Sequence, residues 1–124
     1  LNKIKADGLY ISAKNKDLNL IKLKNTNYDI IGSAHNYKEI NIKKLQGCST
    51  ILFSRLFKTS YVNKKNYMGL VRFNLASLGQ KISLVPLGGI RLSNLNKLNI
   101  VKCDAFALLS EIKKKPAKII NRLF

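Results

Sequence analysis

Two adjacent glycines, Gly88 and Gly89, stand where an apolar run gives way to a sequence that can open a helix. They belong to the stretch VPLGGIRLSN, residues 85–94. Because glycine has no side chain, the backbone can approach a ligand closely there and offer N–H groups to a phosphate. The same residues also suit a plain strand-to-helix turn. A single glycine-rich turn does not distinguish these two interpretations.

The histidine and cysteine content limits the other chemistry that the chain could perform. His35 is the single histidine, and Cys48 and Cys103 lie far apart without CxxC spacing. A zinc site, a disulfide framework and a Ser–His–Asp array are therefore not expected. Both cysteines are predicted to be small buried residues in a reducing cytosol, which places the protein in the cytoplasm.

The charge is strongly positive, at +17, with 23 lysines and arginines against 6 acidic residues. Such a balance raises nucleic-acid binding as an alternative function of another class. The lysines are scattered along the chain with little aromatic interleaving, so a biased composition explains them better and nucleic acid is not the expected partner. No apolar run reaches the roughly 18 residues of a membrane span, so no membrane role is expected.

Short apolar segments recur along the 124 residues and would position these groups. Each is almost continuously apolar, which is typical of a strand buried on both faces in a parallel sheet. Helix signals lie between them at the spacing of βα units, so the fold class is α/β. The five predicted strands cover residues 7–12, 28–33, 50–54, 82–89 and 104–110.

The helix signals follow the strands. Asn36 followed by Glu39 resembles a capping box, and Gly47 stands where a C-cap glycine belongs. The residues predicted to form the apolar face of this helix are Tyr37, Ile40 and Leu45. A later helix is predicted to end at Gly79, and the residues at helical spacing along it are Leu70, Val71, Asn74, Leu75 and Leu78.

Three shorter helices complete the prediction. One covers 17–24 after the first strand, one begins at Ser93 as its N-cap, and one has Pro116 in its first turn. A parallel sheet built this way has right-handed crossovers. It closes either as an open doubly wound sheet or as part of a (β/α)8 barrel, and five units do not complete a barrel.

The order of the strand ends resembles one family. They read IGSAHN, FSRLFKTSY, PLGGI and ALLSEI. The series is similar to the Ser-x-His, G-P-[VI]-[FY]-P-T, G-G-I and V-S-A-I turns of the thiamine phosphate synthase/TenI family of TIM barrels. The stretch ADGLYIS likewise resembles that family's A-D-G-[VI]-H-[LI]-G strand. The resemblance implies that 1–124 is one domain, the second half of the barrel from about strand 4 to strand 8, in a chain truncated at its N-terminus.

The resemblance also implies a set of site residues. Ser33 would lie near a pyrimidine diphosphate, and His35 follows the same turn. The thiazole phosphate would be held by Thr59, Ser60, Tyr61, Gly89, Leu109 and Ser110. Backbone N–H groups near helix starts, together with hydroxyls, suit a phosphate dianion.

The chain departs from the family pattern at three points. The family's Mg²⁺ carboxylate falls on Asn15, so Asp17 is the remaining candidate ligand for this cofactor. The family's pyrophosphate lysine falls on Val62, and the nearby candidates are Lys64 and Lys65. The third departure places Ser54, Arg55 and Lys58 where the family has Gly-Pro and Pro, which adds two positive charges.

The function that the resemblance implies is transfer of hydroxymethylpyrimidine from its diphosphate to thiazole phosphate, which forms thiamine phosphate. The partners would be small phosphorylated substrates. One alternative is a TenI-like thiazole tautomerase, with His35 as the base, and another is a homologue that binds phosphate without turnover. Because the residues of the first three barrel strands are missing, this stretch alone is expected to be inactive and to need a homo-oligomer to cover its strand edges.

Overall fold

The computed structural model of the chain describes residues 7–25, 28–58, 66–101, 103 and 105–107. Its centre is a four-stranded parallel sheet in which each strand pairs with the next one along the chain. The strands are β1 (Gly8–Ile11), β2 (Asp29–Ala34), β3 (Thr50–Ser54) and β4 (Ser83–Leu87). These strands confirm the first four predicted segments. Ala107, in the fifth, forms a parallel bridge to Leu87, and residues 104 and 108–110 of that segment lie outside the described residues.

The strand order decides between the two closures that the sequence left open. An open doubly wound sheet reverses its strand order at a switch point, whereas a barrel adds each strand beside the one before it. The order here is β1-β2-β3-β4, and the bridge at Ala107 extends it in the same direction. The chain therefore forms an arc of a TIM-barrel-like sheet.

The two faces of this arc differ in burial. Side chains at alternate positions face the helices and are buried, among them Ile11, Ile51 and Leu84. The opposite face carries Tyr10 and Ile31, which are 58% and 38% exposed. Burial of both faces was predicted, and on this second face the prediction is wrong for β1 and β2. In a complete barrel that face is the interior, which side chains from all the strands fill.

Helix α1 (Tyr37–Leu45) begins and ends as the sequence predicts. The Asn36 Oδ1 atom accepts a hydrogen bond from the Glu39 backbone N–H at 2.9 Å. Gly47 has φ of 90°, and the Cys48 N–H donates to the Lys43 carbonyl at 3.0 Å. This arrangement is a Schellman motif, which needs a left-handed residue and so favours glycine.

The apolar face predicted for α1 is largely wrong. Ile40 is fully buried, but Tyr37 and Leu45 are 55% and 57% exposed, and Lys43 is buried instead. Five residues of helix rotate the chain about 140° beyond a full turn, so Leu45 points away from Ile40. Lys43 is three residues from Ile40 and shares its face.

Helix α2 (Gly69–Leu78) ends at Gly79 as predicted, but it buries a different face. Val71, Leu75 and Leu78 are exposed, while Phe73 and Ala76 are buried. The sequence carries apolar residues on both sides of this helix, so periodicity alone did not choose between them. The Phe73 ring, 6.1 Å from the Phe53 ring, fills the space between helix and sheet.

The remaining described segments are 3₁₀-helical turns at Leu18–Asn25 and Leu92–Ile100. The first confirms a helical segment after β1. Ser93 does not cap the second, because that segment begins at Leu92 and Asn94 supplies the capping contact. The Asn94 Oδ1 atom accepts from the Arg91 N–H at 2.7 Å, and its Nδ2 donates to the Gly89 carbonyl at 2.8 Å. The helix predicted after Pro116 lies outside the described residues.

Candidate phosphate-binding site

The carboxyl ends of the parallel strands bring several predicted site residues to one edge of the sheet. His35 follows β2 directly, Ser54 is the last residue of β3, and Gly88 and Gly89 follow β4. Active sites of TIM barrels lie at this edge. The edge is therefore where a substrate pocket is expected.

The turn after β4 requires both of its glycines. Gly88 and Gly89 have φ of 102° and 70°, in the left-handed region that glycine adopts without a penalty. A Cβ atom added at Gly89 would lie 2.6 Å from the carbonyl oxygens of Phe57 and Lys58. The close approach at Gly89 is therefore to the β3–α2 connection, and packing alone accounts for the glycine.

The β3–α2 connection is held against this turn by backbone hydrogen bonds. The Leu56 N–H donates to the Leu87 carbonyl at 3.0 Å, and the Phe57 N–H donates to the Gly88 carbonyl at 3.0 Å. At its other end, the Gly69 N–H donates to the Leu56 carbonyl at 2.9 Å. The two loops that the resemblance assigned to one phosphate site therefore run side by side.

A cationic pocket of about 570 Å³ opens beside Gly89. Lys58, Arg91 and Lys97 contribute positive charge to its lining, and Ser93 contributes a hydroxyl. The first turn of α2 also lines it at Gly69, and no side chain caps the start of that helix. Among the described lining residues there is no carboxylate. This combination of fixed positive charge and a hydroxyl suits a phosphate dianion.

Two residues noted in the sequence analysis line the cationic pocket. Gly89 lines the cationic pocket, and Lys58, noted as a departure from the family pattern, lines it too. The remaining contacts lie outside the described residues: Thr59, Ser60, Tyr61, Lys64, Lys65, Leu109 and Ser110. Sequence reasoning missed Arg91 and Lys97, although both follow the glycine pair within a few residues.

Ser33 lies within β2 on the face that corresponds to the barrel interior. The Tyr10 hydroxyl donates to the Ser33 Oγ at 2.9 Å across the β1–β2 pair. Tyr10 occupies the histidine position of the A-D-G-[VI]-H-[LI]-G pattern, so the resemblance could have identified it as a site residue. Together these two hydroxyls form a polar spot on a face that is otherwise apolar at Ile31.

His35 is oriented by an acidic partner on α1. Its Nδ1 atom lies 3.0 Å from the Glu39 Oε2, and the same oxygen accepts from the His35 backbone N–H at 2.7 Å. In a capping box the Glu39 side chain would accept from the backbone N–H of the N-cap, Asn36. Here it accepts from the N–H of His35, one residue before the N-cap. When Nδ1 carries the proton that faces the carboxylate, the Nε2 atom keeps a lone pair and can accept a proton from a ligand.

Asp17, the predicted magnesium ligand, takes part in a local turn. The Asp17 Oδ1 accepts from the Asn19 N–H at 3.0 Å, and the Asn15 Oδ1 accepts from the Asp17 N–H at 3.0 Å. These contacts stabilise the turn that begins the first 3₁₀ segment. Nowhere in the described ranges do three histidine, cysteine or acidic residues cluster as metal ligands would. Mg²⁺ therefore stays a prediction from the resemblance.

Two buried polar side chains, Lys43 and Gln46, donate hydrogen bonds to the Asn15–Asp17 turn, and the sequence analysis identified neither of them. The Lys43 Nζ atom donates to the Asn15 carbonyl at 2.6 Å and to the Gln46 Oε1 at 2.7 Å. The Gln46 Nε2 atom donates to the carbonyls of Asn15 and Asp17, each at 3.0 Å. From the sequence alone, Lys43 would be expected to lie on the surface like the other lysines. Its position instead ties α1 to the loop after β1.

We expect Lys43 to make stability depend on pH. Burial lowers the pKa of its ammonium from the ordinary 10.5, which nearby Cys48 and Glu39 only partly offset. Between the folded pKa and 10.5 the unfolded chain binds more protons, so stability rises with pH in that window. Urea unfolding from pH 8 upward should show wild type gaining free energy of unfolding relative to Lys43→Met.

Two further substitutions isolate the contribution of Lys43 to the pH dependence of stability. Burial raises the pKa of the Cys48 thiol, which would oppose the slope, so both proteins should carry Cys48→Ala. Lys44→Met removes an exposed lysine from the same helix and should leave the slope unchanged. Parallel pH profiles for wild type and Lys43→Met would show that the ammonium is not held in a desolvated site.

No helix in the described ranges is both long enough and apolar enough to cross a bilayer.

The sequence model of the family described as thiamine monophosphate synthase (TMP-TENI) matches residues 1–112. A thiamine-phosphate synthase of Prochlorococcus marinus is 26% identical over 110 residues, covering 88% of this chain and 32% of the relative. The chain thus spans about a third of that relative's length.

A solved thiamine phosphate pyrophosphorylase from Pyrococcus furiosus matches with a TM-score of 0.67 and 20% identity. The match covers 96% of this chain and 61% of that one. At this identity the structural match shows the shared fold alone, and it agrees with the sequential parallel sheet. Together with the match to the family's sequence model, these findings show that the chain belongs to the thiamine monophosphate synthase family.

Proposed function

We propose that the protein is a transferase that joins hydroxymethylpyrimidine diphosphate to thiazole phosphate. Family membership supports the reaction class, and the cationic pocket beside Gly89 is the observation that carries the proposal. Its lining combines Lys58, Arg91 and Lys97 with the start of α2, at the edge of the sheet where barrels bind substrate. The thiazole phosphate would occupy this pocket.

In this proposal the chain's residues bind and position charge. The family reaction is dissociative: pyrophosphate leaves with the bonding electron pair, and the thiazole nitrogen then attacks the pyrimidine cation. Lys58 and Arg91 would hold the phosphate of the thiazole, which fixes the direction of its nitrogen. Lys64 and Lys65 would face the pyrophosphate leaving group. Preorganised cations there need not rearrange as charge develops, so they stabilise the transition state more effectively than water does.

The proposal extends to the other residues that the resemblance assigns to the site. They comprise the phosphate contacts at Thr59, Ser60, Tyr61, Leu109 and Ser110, and the pyrophosphate contacts at Lys64 and Lys65. Mg²⁺ would supply a Lewis acid for the pyrophosphate, with ligands beyond those that the described residues provide. The cytoplasm is the proposed compartment, in keeping with the free thiol of Cys48, which is buried in the core.

Arg91→Gln should raise the KM for thiazole phosphate by about tenfold or more, because it removes a charged hydrogen-bond donor from the pocket. The assay is formation of thiamine phosphate from the two phosphorylated substrates. Lys44→Gln removes the same charge from an exposed position on α1 and is the matched control. Both measurements use the full-length reading frame, because residues 1–124 alone are expected to be inactive. An unchanged KM in Arg91→Gln would remove the cationic pocket from the substrate site, and absence of product from the full-length wild type would reject the synthase.

A thiazole tautomerase is the second candidate, and the His35–Glu39 pair favours it. A carboxylate on Nδ1 leaves Nε2 available to take a proton from carbon or nitrogen of a bound thiazole and return it elsewhere. Such an enzyme isomerises its substrate and forms no thiamine phosphate. The same assay with wild type therefore separates the two candidates when the thiazole is followed alongside the product.

A further inference from the structure

A second pocket lies beside the cationic pocket and is also rich in positive charge. It has a volume of about 200 Å³ and opens between the ends of β2 and β3 and the start of α2. Arg55, Arg72 and His35 line it, together with the polar side chains of Ser54 and Asn66. Its lining contains no carboxylate among the described residues. Drug-sized ligands occupy about 300–1,000 Å³, so a small anion fits this pocket better.

Arg55 carries the strongest sign that the second pocket takes a ligand. Its Nη1 atom is buried and has no hydrogen-bond partner among the described residues. A buried cationic N–H without an acceptor is costly, and native structures satisfy such groups with protein, water or ligand. An oxyanion in the pocket would supply the missing acceptor.

Arg55 is also held in place before any ligand arrives. A Cβ atom added at Gly88 would lie 2.9 Å from the Arg55 Cγ and 3.0 Å from its Cα, so the side-chain stem packs directly on this glycine. The Arg55 carbonyl accepts from the Met68 N–H at 2.8 Å, which ties its backbone to the start of α2. A guanidinium positioned in this way loses little freedom when it binds.

Among the described residues, no acidic side chain pairs with either guanidinium group. Within the described residues, the carboxylate found within 4.0 Å of a basic side chain is that of Glu39, and it contacts the His35 ring. Arg55 and Arg72 have no carboxylate partner in that part of the chain. The planar fork of arginine matches phosphate oxygens with paired hydrogen bonds, so a phosphate or diphosphate group is the ligand class that this pocket recognises best.

We propose that Arg55 and Arg72 form a second oxyanion site, distinct from the Gly89 pocket, that binds a phosphate or diphosphate group. Tyr67 lines both pockets, so the two sites are neighbours across one aromatic side chain. An enzyme that joins two phosphorylated substrates needs two such sites close together. Assigning the second site to the diphosphate substrate rests on the proposed function, whereas the anion site itself does not.

Calorimetric titration with inorganic pyrophosphate and with inorganic phosphate tests the site without any turnover. Arg55→Gln should weaken pyrophosphate binding by about tenfold or more, and Arg55→Lys should recover part of it because the charge returns without the fork. Lys44→Gln, an exposed change of the same charge, should alter the affinity less than about twofold. If Arg55→Gln does not fold, Arg72→Gln on the exposed side of α2 takes its place, with a loss of about threefold or more.

Three results would overturn the second site: no binding of either ion to wild type, equal losses in Arg55→Gln and Lys44→Gln, or a loss confined to Arg91→Gln. Tighter binding of pyrophosphate than of phosphate supports a diphosphate site, and equal affinities support a site for one phosphate group. If pyrophosphate binds through Arg55 but the full-length reading frame forms no thiamine phosphate, the second site is supported and the proposed function is rejected.

Discussion

Phe73→Ala should lower the free energy of unfolding by about 3–5 kcal/mol, the usual cost of truncating a fully buried phenylalanine. Phe73 is 0% exposed and packs against Phe53 between α2 and the sheet, with ring centroids 6.1 Å apart. Removing the ring loses both its transfer free energy and the contacts of the side chains that would line the cavity. Urea denaturation monitored by far-ultraviolet circular dichroism measures the change.

Leu75→Ala is the matched control on the same helix. Leu75 is 60% exposed, so its loss should change the free energy of unfolding by no more than about 0.5 kcal/mol. The pair tests which face of α2 is buried, because the sequence predicted Leu75 and the structure places Phe73 inward. A larger loss from Leu75→Ala than from Phe73→Ala would mean that α2 is rotated from the orientation described here.

The strands could be predicted because a buried parallel strand leaves a strong local mark. Three of the four strands of the sheet fall within the segments that their continuous apolar character predicted, and β2 extends one residue beyond its segment, to Ala34. The ends of α1 were equally visible, since Asn36 and Gly47 each perform a job that few residue types can do. Where only a few residue types can provide a local backbone conformation or a capping hydrogen bond, the sequence alone predicts the element.

Helix faces were predicted poorly because burial is decided between elements. Leu45 and Leu75 are apolar and helical, yet both lie in solvent. Lys43 is charged, yet it is buried because the Asn15 carbonyl and Gln46 accept its hydrogen bonds. No periodicity in α1 shows those acceptors, since Asn15 comes from a loop 28 residues earlier.

The candidate site also combines residues that the sequence predicted with residues that only the fold brings together. The resemblance identified Gly89 and His35 because both occupy family motifs, and they do come to the same edge of the sheet. Arg91 and Lys97 belong to no quoted motif, and they became site residues only when the turn after β4 placed them around the cationic pocket. Arg55 was noted as an added charge, but its buried Nη1 atom could not be anticipated from sequence.

Gly89→Ala should cost about 2–5 kcal/mol of stability, because two penalties add at this residue. An alanine is strained at φ of 70°, and its Cβ would lie 2.6 Å from two backbone carbonyl oxygens that cannot rotate away as a side chain would. The β3–α2 connection must then move, and Lys58, whose carbonyl is one of the two, moves with it. We therefore expect thermal unfolding at lower temperature together with weaker phosphate binding.

Two other glycines separate the cost of backbone strain at positive φ from the cost of a close Cβ contact. Gly69 has φ of 79° with no atom within 4 Å of an added Cβ, so Gly69→Ala should show the strain alone, about 1–2 kcal/mol. Gly79 has φ of −84° and its nearest neighbour is 4.0 Å away, so Gly79→Ala should be neutral or slightly stabilising. If all three variants lost the same stability, close contact with the β3–α2 connection would not be the reason for Gly89. If Gly89→Ala alone lost both stability and phosphate affinity, the glycine would be needed because the loops that form the pocket can pack together only around a residue without a side chain.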